Sequence, residues 1–366
     1  MTNLKLAAAI GACVGLTTTV FGQSTELDPA GDAPARYTVT RLSNLPGGTA
    51  SYPAAVSAAG EVAGTAYDRG TCSAGCPIIW FGKTPKLLGQ LPHFQYGYVD
   101  GMNDVGQVVG TMYVGTSAAD GIHPDVGWHG RSHAIVWNGT KPTILGQLAG
   151  DWPNNGATGI NNAGDVVGFT HNAAGPDRAL LWHGTSPKAL PTECYFGPII
   201  NGPGLIACTT STQDVSAVDA GKVTILPQLG GDDSVPNGIN DTALIVGSSA
   251  TYSGETRAVV WKHGRIIDIA PKGVPYSSAN GINAQGHIVG GAVTTDDSYY
   301  ALYWSSPEAK PQDLNKLISA SDAARYQLVQ AAAINDQCTI IAWGSEGASS
   351  TTYAFVLTLK PEFACQ

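Results

Sequence analysis

Five of the eight histidines, His93, His123, His129, His133 and His171, fall within one stretch of the chain that also holds Tyr96, Tyr98, Trp128 and Trp152. Imidazole titrates near neutral pH, so a histidine placed here could act as a general base. With Tyr96 or Tyr252 as the acid and Arg178 or Arg257 holding a uronate carboxylate, His93, His123, His129 or His171 would suit β-elimination from an acidic polysaccharide. Planar rings beside hydrogen-bonding side chains also line sugar sites, which nominates Tyr98, Trp128, Asp151, Trp152, Asn154 and Asn155 for substrate binding. Hydrolysis would need two facing carboxylates instead, and Asp125, Asp151, Asp177, Asp232 and Asp233 are the supply. His123, Asp125 and His129, with His171, offer imidazole and carboxylate ligands of the kind that suit Zn or Mn, while Asp232-Asp233 and Asp296-Asp297 could hold Ca through loop oxygens. None of these chemistries requires a bound cofactor. No nucleophile elbow, phosphate loop, dinucleotide fingerprint or zinc-protease motif is present, which argues against NTPases, dehydrogenases and the common proteases.

The elements that must position these residues are repeats. Gly159-Ile160-Asn161-Asn162-Ala163-Gly164-Asp165-Val166-Val167-Gly168 reads strand, tight turn, strand, because Asn and Gly supply turn conformations and the valines suit a buried strand. Arg178 to Gly184 follows as a third strand ending on Trp182, and Lys188 to Pro191 as a short fourth. Turns of the same kind start at Ser57, Asn103, Asn161, Asn201, Asn240, Asn283 and Asn335, spaced 39 to 58 residues apart, which brackets the period of four-stranded propeller blades. The third-strand signal recurs at Trp80, Trp137, Trp182, Trp261, Trp304 and Phe355, and Ser216-Ala217-Val218 replaces it in the fourth unit. The last unit supplies three strands, while Tyr37 to Leu42 is a fourth-strand sequence with no unit of its own. The chain is therefore expected to be all-β, a seven-bladed β-propeller whose N-terminal strand completes the last blade. Ser319 to Leu328 is the one stretch that predicts a helical turn or two.

Lys5 followed by an apolar run to Val20 reads as a signal peptide over residues 1–22, with a flexible leader at 23–36 and a single propeller domain over 37–366. Removing it leaves 18 basic against 28 acidic residues, a poor balance for nucleic acid or anionic membranes, and no other segment could span a bilayer. Six cysteines remain for an oxidising compartment. Their spacing predicts Cys72 with Cys76, Cys194 with Cys208 across a hairpin, and Cys338 with Cys365, Cys338 opening a second strand. Asn138 and Asn240 are glycosylation acceptors if the source is eukaryotic.

The repeats resemble the extracellular HAF-repeat family, named for a His-Ala-Phe tripeptide that opens its third strand after a Gly-x-Asn-x-x-Gly turn. Here the tripeptide stands as His133-Ala134-Ile135, Arg178-Ala179-Leu180, Arg257-Ala258-Val259, Tyr300-Ala301-Leu302 and Tyr353-Ala354-Phe355. The resemblance covers nearly the whole mature chain and implies a secreted β-propeller with no shared activity.

In such a propeller the first-to-second turns lie on one face, where the sequence is short and bland. The second-to-third loops and inter-blade connections lie on the other face and carry the aromatic and titratable residues. That asymmetry points to one mouth, over the second and third blades, for an extracellular glycan. The expectation is a secreted, monomeric carbohydrate-active enzyme, a polysaccharide lyase before a hydrolase, with a non-catalytic lectin or adhesion propeller as the alternative.

Overall fold

The computed structural model describes residues 35–114, 131–148, 154–170, 178–194 and 196–365. The expected signal peptide and nearly all of the expected leader lie outside them. No helix among the described residues is long and apolar enough to cross a membrane.

The strands run in groups of four. The first group is β2 (Gly48–Val56), β3 (Val62–Asp68), β4 (Cys76–Phe81) and β5 (Thr84–Leu87); the second is β6 (Tyr96–Met102), β7 (Gln107–Val114), β8 (Arg131–Asn138) and β9 (Lys141–Ile144). Next come β10 (Asn155–Ile160), β11 (Asp165–Thr170), β12 (Arg178–His183) and β13 (Ser186–Glu193), then β14 (Phe196–Ile200), β15 (Ile206–Thr209), β16 (Val215–Asp219) and β17 (Lys222–Ile225). The fifth and sixth are β18 (Gly230–Ile239), β19 (Ile245–Thr251), β20 (Thr256–Lys262) and β21 (Arg265–Asp268), then β22 (Tyr276–Ile282), β23 (Ile288–Val293), β24 (Tyr299–Trp304) and β25 (Gln312–Asp313). The last is β26 (Tyr326–Ile334), β27 (Ile340–Glu346) and β28 (Tyr353–Leu359), and its outer strand is β1 (Tyr37–Arg41), which pairs antiparallel with β28. Each group is an antiparallel meander, and a single parallel bridge, Thr256 to Tyr276, joins the fifth to the sixth. The expected helical stretch is the short helix α1 (Ala320–Arg325), capped by the Ser319 hydroxyl; Tyr326 to Leu328 belong to β26 instead.

The turn between the first two strands has one geometry throughout. Its fourth residue lies in the left-handed region, as Gly60, Gly106, Gly164, Gly204, Ala243, Gly286 and Cys338. Five are glycine because that backbone costs glycine nothing. Cys338 therefore sits in the turn rather than opening β27, a correction to the expectation. The first turn residue links neighbours: the side-chain amide of Asn103 donates to the carbonyl of Asn161, Asn161 to Asn201, Asn201 to Asn240, Asn240 to Asn283, and Asn283 to Asn335. Asn335 then donates to the carbonyl of Ser57, the first turn residue of the chain's first meander. Asn240 is thus buried with its amide spent, so it is not the glycan acceptor that its sequence context suggests.

In five of the meanders a third-strand tryptophan ties the meander to the segment that leaves the one before. The indole N–H groups of Trp80, Trp137, Trp182, Trp261 and Trp304 donate to the carbonyls of Ser43, Gly89, Gly146, Pro227 and Ile269. The core sits between neighbouring sheets: Ala63, Ile79 and Leu88 pack on Val99, Val108, Met112 and Trp137, for example. All three disulfides pair as the spacing predicts, Cys72 with Cys76, Cys194 with Cys208 and Cys338 with Cys365.

Candidate functional site

Near its end, the innermost strand of each meander carries an extra residue with no partner on its neighbour, and β2, β18 and β26 have a second register shift nearer their start. In β2, β6, β10, β18, β22 and β26 the register shifts at Ala54, Asp100, Thr158, Asn237, Asn280 and Ala332, each three residues before the turn residue, and in β14 the shift spans Gly197 and Pro198. A bulge bends the strand and turns the extra residue out of the ladder. The residue after it packs against the next innermost strand: a Cβ on Gly101 would lie 3.4 Å from the Cα of Gly159, and one on Gly281 would lie 2.9 Å from the Cα of Ala333.

Three of these extra residues spend their donors on the fold. The Thr158 hydroxyl donates to the carbonyl of Pro198, the Asn237 amide to Ala279 and the Asn280 amide to Ala331. Asp100 has no donor when ionised, and its side chain forms no hydrogen bond or ion pair with the described residues. It is exposed to solvent yet set deep among protein atoms, and that enclosure pushes its carboxyl up to about 7. A carboxyl so placed holds or releases a proton near neutral pH.

Tyrosines stand beside it. The rings of Tyr96 and Tyr113, opposite each other on β6 and β7, stack at 4.9 Å between centroids with 6° between planes. Tyr98 meets both edge to face. Burial raises all three hydroxyls, that of Tyr96 to about 12, and the Asp100 charge raises Tyr98 and Tyr113 further. Tyr96 and Tyr113 are buried, while Tyr98 is half-buried. The loop closed by Cys72 and Cys76 leans on Tyr98, because a Cβ on Gly75 would lie 2.8 Å from the Tyr98 ring.

A second group forms at the same end of the strands. Tyr252 is 91% exposed, yet its ring rests on Gly230, where a Cβ would lie 2.2 Å from a ring carbon. Gly230 has φ +107° at the start of β18, and Asp232 and Asp233 follow it, both exposed. Burial and then the charge of Asp232 raise the Asp233 carboxyl. Asp233 and Tyr299 in turn raise the hydroxyl of half-buried Tyr276, after burial itself. The Tyr252 loop uses the same side-chain turn as its neighbours: the hydroxyls of Thr210, Thr251 and Thr294 accept from the amides of Asp214, Glu255 and Ser298. The tip residues differ, being Ser211, Tyr252 and Thr295.

The other nominated residues are dispersed. His93 is exposed, with φ 73°, in the connection before β6. Arg257 reaches outward to Asp268 on the outer strand, at 2.6 Å, and to Glu255. Arg178 is exposed at the start of β12 and has partners of its own. Asn154 and Asn155 are buried, their side-chain oxygens accepting from the amides of Ser132 and Ala134. Both therefore support β8, although the amide nitrogen of Asn155 has no partner among the described residues. His123, Asp125, His129, Trp128, Asp151, Trp152, His171 and Asp177 lie outside the described residues, and with them the proposed Zn or Mn site. Among the described residues the one close group of His and Cys ligand atoms is His287, Cys338 and Cys365, and its sulfurs form a disulfide rather than thiolate ligands. Asp296 accepts from the hydroxyl of Thr294, which holds its carboxyl below the usual range.

No family model and no curated protein matches this chain. Among solved structures it is similar to TolB from Acinetobacter baumannii, at 7% identity over 82% of this chain and 64% of that one, with a TM-score of 0.43. It is also similar to the uncomplexed acylaminoacyl peptidase of Pyrococcus horikoshii, at 11% identity over 82% and 51% with a TM-score of 0.47. A Trypanosoma rangeli sialidase aligns at 10% identity over 91% and 60% with a TM-score of 0.46. This chain spans between half and two thirds of the length of those proteins.

Proposed function

We propose that the meanders close into a seven-bladed β-propeller of the HAF-repeat kind, whose channel opens at the loop end onto a carbohydrate-binding surface. The run of asparagine contacts from Asn103 to Asn335 and on to Ser57 supports the closure. Three disulfides support an extracellular setting.

The observation that carries the binding reading is Tyr252. A tyrosine ring left almost wholly in water costs hydrophobic free energy, and here the backbone of Gly230 fixes its orientation while the opposite ring face stays open. Sugar rings stack on such faces, and the carboxylates of Asp232 and Asp233 are within the same segment to accept from sugar hydroxyls. Binding is favoured over β-elimination because Arg257, one of the two arginines that could hold a uronate, is already paired with two carboxylates. Cleavage stays within reach of the Asp100 carboxyl, which is poised for acid-base work near neutral pH.

The test is retention on immobilised neutral, acidic and amino polysaccharides, run with assays for new reducing ends and for unsaturated-uronate absorbance. Retention without new ends supports a binding protein. New ends with absorbance would make it a lyase, and new ends alone a hydrolase. A protein retained on none of the polysaccharides is not a glycan binder.

A further inference from the structure

The three disulfides stand in unequal surroundings. Of the six cysteines among the described residues, Cys72, Cys76, Cys194, Cys208 and Cys338 are buried, and Cys365 alone is half-buried. Cys365 lies in the segment that follows β28, outside every sheet. There the backbone amide of Lys360 donates to the carbonyl of Arg36, and the centroid of the Phe363 ring lies 5.7 Å from the guanidinium carbon of Arg36. A disulfide opens when a thiolate reaches one of its sulfurs and the other leaves as a thiolate, so both access and the leaving sulfur's surroundings decide the rate. Five of the cysteines are enclosed, and Cys365 grants the access.

Its partner Cys338 has donors around it. Nδ1 of buried His287 lies 2.9 Å from Cys338 Sγ and 3.9 Å from Cys365 Sγ. A disulfide sulfur carries no proton, so the imidazole N–H is the donor. The side-chain amide of Asn283, which donates to the carbonyl of Asn335, lies 3.7 Å from Cys338 Sγ as well. Beside the other two disulfides stand groups that carry no positive charge: the Ser216 hydroxyl is 3.4 Å from Cys208 Sγ, and the Gln90 amide is 3.9 Å from Cys76 Sγ. Burial alone makes a thiolate costly, whereas an imidazole in contact with the sulfur stabilises it. The fold does not require that imidazole. Glu61, Gln107, Asp165, Leu205, Leu244 and Thr339 occupy the equivalent place, directly after the left-handed turn residue, in the other meanders.

We propose that Cys365 is a site of thiol modification, opened by exchange with a low-molecular-weight thiol, with His287 stabilising the sulfur that leaves. The incoming thiolate attacks Cys365 Sγ and forms a mixed disulfide with it. The bond to Cys338 Sγ breaks and its electron pair passes to that sulfur, which accepts the His287 hydrogen bond and then takes up the proton the incoming thiol gave up. The thiol's sulfur is oxidised as that of Cys338 is reduced, so no other reagent is consumed. The segment after β28 then keeps only the Lys360 hydrogen bond and the Phe363 contact described above, while β1 retains its pairing with β28. This site lies at the turn end of the strands, opposite the Tyr252 loop, and is independent of the carbohydrate-binding reading.

The experiment treats the folded full chain with excess reduced glutathione at neutral pH, quenches with an alkylating agent and maps the peptides by mass spectrometry. Glutathione should appear on Cys365 and the alkyl group on Cys338, with the other two disulfides opening at least about 10-fold more slowly. His287→Leu places the residue of Leu205 and Leu244 at the equivalent position, and a thermal melt checks its fold. It should slow opening by about 10-fold, the scale of one hydrogen bond to a developing charge. A histidine that only packed the turn would give the reverse, because its removal would loosen the turn and speed opening. No adduct, glutathione on Cys338 instead of Cys365, another disulfide opening as fast, or a folded His287→Leu variant that opens no more slowly than the natural protein would each overturn the proposal. Should the variant fail to fold, the position of the adduct and the order of opening in the natural protein decide the matter.

Discussion

The side-chain amide of Asn335 donates to the carbonyl oxygen of Ser57 at 2.9 Å, joining residues 278 positions apart. The same side chain accepts from the amides of Gln337 and Thr339 through its oxygen, so one residue shapes its own turn and fastens the last meander to the first. Asn335→Asp keeps the acceptor and removes the donor. It should cost about 1–3 kcal/mol, the desolvation of a buried carbonyl left without its partner. Chemical denaturation followed by tryptophan fluorescence measures this, and a variant as stable as the natural chain would show that the contact contributes nothing.

The tryptophan contacts admit a similarly narrow substitution. Trp137 is fully buried and its indole N–H meets the carbonyl of Gly89 at 2.8 Å. Trp137→Phe removes that donor along with part of the ring, and an expected loss of about 2–4 kcal/mol combines a cavity with an unpaired carbonyl. Trp343, half-buried against Tyr52, gives no such tie, and Trp343→Phe should cost less. Equal losses from the two variants would contradict this account.

The three disulfides close chain segments of 4, 14 and 27 residues. On the chain-entropy model their stabilisation is about 2, 3 and 3.5 kcal/mol respectively. Double Cys→Ser variants should therefore lose stability in the order Cys72/Cys76, Cys194/Cys208, Cys338/Cys365, the last losing most. A reversed order in denaturation midpoints would mean that local packing, rather than loop closure, sets their worth.

Asp100 sets a pH dependence whose sign is opposite to that of a salt-bridged acid. Its folded carboxyl is pushed up to about 7, against about 3.9 in an unfolded chain, so folding favours the protonated form. The contribution is complete below about pH 4 and is lost as pH rises through about 7. Glu346, held low chiefly by its hydrogen bond from Arg325, titrates the other way but is present in both proteins compared. The melting temperature of Asp100→Asn minus that of the natural chain should thus grow as pH rises from about 4 to about 8. A flat difference would show that Asp100 is ordinary.

Tyr252 separates binding from stability. Because the ring is 91% exposed, Tyr252→Ala should change stability by less than about 0.5 kcal/mol while weakening glycan retention. Gly230→Ala should weaken retention as well, since its methyl would occupy the space of the ring, and should destabilise, since φ is +107°. If Tyr252→Ala binds as the natural chain does, the platform is not where the sugar sits.

The sequence by itself determined what depends on short spacing. The left-handed turns, the strand pairs around them, the third-strand tryptophans, the outer-strand character of Tyr37 to Arg41 and the three cysteine pairs all follow from residues a few positions apart, or from strands whose pairing the turns impose. Only the tertiary structure decided which of the nominated side chains face solvent. Asn154, Asn155 and Tyr96 look like ligand-binding residues in the chain but are turned into the fold, because their strands abut the next meander. Asp100 was passed over for the opposite reason. Strand alternation does not foresee a bulge, and its exposure depends on how the innermost strands converge, which is a property of distant segments packing together. A signal was nevertheless present: aligning the residues three places before each turn gives Ala54, Asp100, Thr158, Pro198, Asn237, Asn280 and Ala332, with one acid among them. Its meaning emerged only once the other polar members of that row were seen to give their hydrogens to neighbouring strands, which an ionised carboxylate cannot do.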